Sequence, residues 1–185
     1  HCRGLPLAVV VLGGILRTKH TLMDWEMLHR KIDSYIRKGK DVEHPFEGVS
    51  QVLALSYDDL PYHLKQCFLY LGSFPEDKEI EAEKIYQLWM AENMLSSDDL
   101  EPGEETMDIA EDLLVKLAQR CMVQIKSHEF TGKFEFCTLH DLMRDLCLSK
   151  AKSENFIRVI DFRGGKDENM GISPSSSICK VRRIS

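Results

Sequence analysis

The hydrophobic period changes between Met122 and Leu139, and no other feature limits the fold of this chain as sharply. The stretch MVQIKSHEFTGKFEFCTL alternates, with Val123 and Ile125 on one arm and Phe134 and Phe136 on the other. The arms join through HEFTG, which predicts a β-hairpin. On either side the spacing is helical. Upstream, AEKIYQLWMAENML places Ile85, Leu88 and Trp89 on one stripe, and TMDIAEDLLVKLAQRCM repeats the pattern with Met107, Ala110, Leu114, Leu117 and Cys121. Further upstream, VSQVLALSY and LPYHLKQCFLYLGSF are predicted helices. The second opens at Pro61, where a missing N–H does no harm, and aligns Leu64, Cys67, Phe68 and Leu71. Downstream, HDLMRDLCLSKA gathers Leu139, Met143, Leu146 and Cys147. Helices, then a two-stranded ribbon, are the order of a winged helix. ENFIRVID is a candidate extra strand, and RGGKDENMGISPSSS has the composition of an exposed loop.

The first residues are a separate problem. Leu5, Ala8, Val9, Leu12 and Leu16 keep helical spacing after Gly4, with Pro6 in the first turn, and nearly every face is apolar. Only one further helix precedes the polar break GKDVEHPFEG, which marks a subdomain boundary. That helix, TLMDWEMLHRKIDSYIRK, starts on a capping-box-like pair, Thr21 and Asp24, with Trp25, Leu28, Ile32 and Ile36 as its stripe. Two helices cannot enclose the first one, so its missing walls are expected upstream of residue 1, in a longer protein. The opening apolar run imitates a signal peptide but offers no small-x-small cleavage site, and it is shorter than the ~20 residues a membrane span requires.

Composition narrows the function classes. With 43% hydrophobic and 29% charged residues in 185, the chain has a globular balance, and a net charge of −6 disfavours a nucleic-acid partner despite the basic runs HRKIDSYIRKGK and KVRR. The six cysteines are expected as free thiols in a reducing compartment, hence a cytoplasmic location. Cys137, His140 and Cys147 have a ligand-like spacing without a fourth member, so no metal is expected. No nucleophile elbow appears, and the carboxylates of YDDL, PED and SSDDLEPGEE fit helix starts and solvated loops. RGGKDE comes nearest to a phosphate loop, but Asp167 stands where Ser or Thr would hold Mg²⁺, and Ile160 where the first Gly belongs. The chain alone is therefore not expected to be an enzyme. A freestanding winged-helix module binding DNA or protein is the rival class. Against DNA stand Asp108, Glu111 and Asp112 near the start of the third helix, which phosphates would repel.

Three phrases, GLPLAVVVLGGIL, LSYDDLPYHLKQCFLYLGSFPEDKEI and TLHDLMRDL, resemble the GLPLA, CFLY/FPED and MHD motifs of the NB-ARC region of plant nucleotide-binding, leucine-rich-repeat disease-resistance proteins. CFLY with IYQLWMAE resembles the coiled-coil class. The resemblance runs from about residue 2 to about residue 160 in the family's order. It implies a mainly α fold: a partial helical ARC1 subdomain at 1–46, a winged-helix ARC2 subdomain with a β-hairpin wing at 47–158, and a linker entering leucine-rich repeats at 159–185. It also implies that the P-loop and metal-binding residues lie in the preceding domain. Leu5 and Pro6 would then pack near the adenine, and His140 would reach the β-phosphate of ADP. The expected partners are the intramolecular nucleotide-binding domain and the leucine-rich repeats, with an oligomer of the full receptor after activation and ADP or ATP as its ligand.

His140-Asp141 is where that resemblance meets chemistry. A helix N-terminus favours an anion, and His140 would add a directed donor. The same field disfavours imidazolium, which predicts a neutral ring giving one N–H, with Asp141 capping or charging the first turn. Position alone favours a plainer junction in which Asp141 caps and nothing is sensed; the flanking motifs favour sensing. Leu139 replaces the family's usual Met, a swap of similar volume that costs under ~1.5 kcal/mol.

Overall fold

A computed structural model describes residues 6–38, 47–95 and 105–156. Helix α1 (Pro6–Arg17) begins on the proline, and α2 (Leu22–Lys38) follows a short turn. The expected capping box of α2 is present: the Asp24 N–H donates to Thr21 Oγ1 at 3.1 Å, and the Thr21 N–H donates to Asp24 Oδ2 at 3.1 Å. Then come α3 (Glu47–Asp58), α4 (Tyr62–Leu71), the two-residue strand β1 (Ile80–Glu81), α5 (Ala82–Ala91), α6 (Thr106–Gln119), β2 (Gln124–Ser127), β3 (Phe134–Thr138) and α7 (Asp141–Ser153). No helix of the described residues is long and apolar enough to cross a membrane.

The period change at Met122 marks the wing. β2 and β3 pair antiparallel, Ile125 opposite Cys137, and Gly132 turns the chain between them at φ +69°, in the left-handed region that glycine occupies without strain. β1 is the surprise. It adds to the far side of β3, Ile80 opposite Cys137, giving the order β1-β3-β2. Two residues cannot show an alternation, so sequence pattern had no means of revealing it. The expected strand in ENFIRVID does not begin in its described part, since Glu154 caps α7 and Phe156 follows irregularly; residues 157–161 lie outside the described residues. So do the break at 39–46, most of the acidic loop at 96–104, and the expected linker and repeat start at 159–185.

One apolar cluster joins Val52 and Leu53 of α3, Leu64 and Phe68 of α4, Ile85 and Trp89 of α5, Ala110, Leu114 and Leu117 of α6, Cys137 of β3, and Met143 and Cys147 of α7. Ala8 and Val11 of α1 belong to it too, so the inner face of α1 finds walls within this chain. Val9 and Val10 remain half exposed on its outer face. A smaller cluster of Ile15, Leu28 and Leu55 attaches α2, whose Trp25 is half exposed although it shares the expected stripe.

Two glycines set how closely helices approach. A Cβ on Gly14 would lie 2.4 Å from the Arg120 carbonyl oxygen, and one on Gly72 would lie 2.6 Å from Cys147 Cβ. The first brings α1 onto the turn after α6, and the second brings α7 onto the end of α4. Cys121 departs from expectation: it does not extend the apolar face of α6 but follows the helix at φ 57°, half buried in the turn. Cys67, Cys137 and Cys147 are buried, and burial pushes the first two thiols up to about 12 and the third well above its usual value, so they behave as small hydrophobes.

Candidate functional site

Strand β3 ends at Thr138, Leu139 tucks against the main cluster, and His140 is the last residue before α7. Leu139 thus does the apolar filling expected of it. His140 has extended backbone angles, φ −66° and ψ 142°, and it is the N-cap: the Leu142 N–H donates to its Nδ1 at 3.2 Å. Its carbonyl accepts from the N–H groups of Met143 at 2.8 Å and Arg144 at 2.9 Å. Of the two roles expected of Asp141, capping or charging the first turn, the structure shows the second. The histidine ring occupies the capping position, and Asp141, exposed in the first turn, supplies only charge at the positive end of the helix.

That geometry selects a tautomer. An Nδ1 that accepts a hydrogen bond carries no proton, which leaves Nε2 as the donor of the ring. The residue is exposed, and Nε2 makes no hydrogen bond among the described residues. The site is a single outward donor at a helix N-terminus.

The helix behind this donor is gripped along its length. Near the start, Arg144 Nε–H donates to the Phe74 carbonyl at 2.9 Å and Nη1 pairs with Glu76 at 3.0 Å. At the middle, the Cys147 thiol donates to the Phe68 carbonyl at 3.2 Å, beside Gly72. Near the end, Lys150 pairs with Asp58 at 2.8 Å, and Tyr57 Oη–H donates to Glu154 at 2.8 Å. Burial and the neighbouring Glu154 push the Tyr57 phenol far above its ordinary value, so it stays a donor. The FPED and YDDL segments, separate motifs in the sequence, are thus both clasps on α7.

Pro6 is exposed as the first residue of α1 and makes no hydrogen bond, ion pair or ring contact with His140; Leu5 lies outside the described residues. The metal-like spacing does not converge, because Cys137 and Cys147 point into the core while His140 is exposed, and no group of three His, Cys, Asp or Glu side chains gathers among the described residues. Of the three acidic residues near the start of α6, Asp108 and Asp112 are exposed and Glu111 is half-buried.

Helices α3 to α6 with a β-hairpin and a third short strand, closed by α7 and its capping histidine, define a winged helix. The profile of the disease resistance protein winged helix domain matches residues 74–147, from the Phe74 carbonyl that receives Arg144 to the Cys147 that meets Gly72. Over its full length the chain is 43% identical to the probable disease resistance RPP8-like protein 2 of Arabidopsis thaliana, of which it spans 20%. Over 86% of its length it is 43% identical to the probable disease resistance protein RXW24L, spanning 18% of it, and over 85% it is 42% identical to the disease susceptibility protein LOV1, spanning 17%, both from the same plant. Residues 74–147 carry the winged helix domain of disease resistance proteins, and the chain spans about a fifth of the length of these relatives.

Proposed function

We propose that this region is the nucleotide-sensing latch of an intracellular plant immune receptor, holding the receptor closed while ADP is bound and letting go on exchange for ATP. The observation that carries this reading is the cap at His140: Nδ1 of this exposed residue accepts from the Leu142 N–H at the helix start, which leaves Nε2–H as the ring's donor. Such an arrangement suits a terminal phosphate oxygen. The helix end contributes positive potential, and Nε2–H contributes direction without the desolvation cost of a full cation. Asp141 stabilises that helix end through its charge in the first turn, which keeps the capping ring in place. Leu5 and Pro6 would border the base. The phosphate cradle, any ATPase activity and the magnesium site belong on this reading to the nucleotide-binding domain that precedes this region in the family, and the leucine-rich repeats and an oligomer formed after release are the partners.

A nucleotide moves a closed–open equilibrium only through its differential affinity for the two states, and His140 supplies part of that difference. In the intact receptor, Asp141→Val is expected to weaken the closed state, read as faster loss of bound ADP and signalling without a pathogen trigger. A variant that stays inactive and keeps ADP at the wild-type rate would remove the latch reading.

A further inference from the structure

The residues around His140 are attached to one short segment, 74–81, on both sides. Three residues before it, Cys137 pairs with Ile80 across β1 and β3, and both side chains are buried. Four residues after it, Arg144 reaches back to the Phe74 carbonyl and Glu76. Between those two grips the segment reverses at Asp77, which holds φ 54°. Asp is among the few residues that take the left-handed conformation at modest cost. Arg144 is also joined to His140 directly, since its own N–H donates to the His140 carbonyl at 2.9 Å. A shift of the guanidinium is therefore one helical turn and one hydrogen bond away from the capping ring.

The two bonds of Arg144 are unequal. Glu76 is 64% exposed, and ion pairs of that kind contribute little. The Arg144 side chain itself is only 16% exposed, and its Nε–H reaches a backbone carbonyl, a charge-assisted bond that no substitution at Phe74 removes. The hold on the helix start thus comes from Arg144 and the path of the chain at Phe74.

We propose that Arg144 is a positioning residue for the phosphate-facing donor, with segment 74–81 as its seat: it fixes the start of α7, and so the reach of His140 Nε2, without touching nucleotide itself. This rests on the latch reading above and deepens it. It also gives the FPED phrase a task, which is to register the sensor helix against the wing.

The test is a double-mutant cycle in the receptor containing this region and its nucleotide-binding domain, reading the rate of ADP release with a fluorescent ADP analogue. His140→Ala is expected to speed release by about tenfold, Arg144→Ala by most of that factor, and the pair by no more than His140→Ala alone, since a positioning residue loses its effect once the group it positions is gone. Arg144→Lys, which can make one of the two bonds, is expected between wild type and Arg144→Ala, and Glu76→Gln close to wild type. If Arg144→Ala fails to fold, Arg144→Lys runs the same cycle. Equal acceleration by the Arg144 variant in the presence and absence of His140 would show that Arg144 only stiffens the domain. No acceleration from Arg144 variants, alongside an effect of His140→Ala, would overturn the positioning role and leave the latch intact. No effect from His140→Ala would overturn both.

Discussion

The winged-helix body and the α1–α2 pair are held by different physics. In the body, α3 to α7 and the ribbon close around Trp89, Phe68, Leu114 and Leu117, all essentially inaccessible, and burial of apolar surface dominates. The pair joins that body more sparingly: α1 sends Ala8 and Val11 into the main cluster, Ile15, Leu28 and Leu55 form a small one, and a charged seam completes the contact. Asp59, 7% exposed, receives Lys19 Nζ at 2.7 Å from the turn after α1 and Arg120 Nη1 at 3.0 Å from the turn after α6. One carboxylate between two cations ties three segments distant in sequence, and Gly14 admits the Arg120 backbone beside it. Apolar packing tolerates few alternatives, whereas a seam built on one buried carboxylate can be released by losing one charge.

Trp89→Ala deletes the largest fully buried side chain and is expected to cost roughly 3–5 kcal/mol, lowering the thermal midpoint by roughly 10 °C. Because α3 carries both regions, amide protection should fall across α1–α2 and the body together in hydrogen exchange. Loss confined to α5 would mean that the body is not one unit.

Asp59→Ala comes next, at about 3 kcal/mol, because it leaves Lys19 and Arg120 facing each other with no counter-charge. Here the losses should be local: faster exchange in α1 and α2, with α5 and β3 near wild type. Uniform acceleration would erase the distinction drawn between the two regions.

The smallest effect is expected at the start of α2. Its Thr21 hydrogen bonds hold the Asp24 carboxyl below the usual 3.8. A carboxyl lowered on folding adds stability that is present above its unfolded value and lost as pH falls through the native one. Protection of the first turn of α2 should therefore persist above pH 3.8 and fade in stronger acid, and Asp24→Asn should abolish that dependence. An unchanged acid profile in Asp24→Asn would show that the cap is not what orders the turn.

How much of the site was legible varies residue by residue. His140-Asp141 stood out because it lies where an alternating pattern becomes helical, but its division of labour did not, since whether a histidine or an aspartate side chain turns back onto the helix depends on backbone angles at the junction. Arg144 drew no attention as a residue on the polar side of a helix, and its partner is a carbonyl, a group every residue possesses. Asp59 sat in the phrase YDDL beside Asp58 with nothing to mark it as the buried one; Lys19 and Arg120, 40 and 61 residues away, make it so.

By itself the sequence determined the elements and their faces, because helical spacing, alternation, capping pairs and prolines act over a few residues and are written in order along the chain. The tertiary structure alone decided which segments clasp α7, that a two-residue strand would complete the sheet, and that one carboxylate would hold the seam. Those outcomes depend on distances between residues tens of positions apart, and such distances exist only once the core has closed.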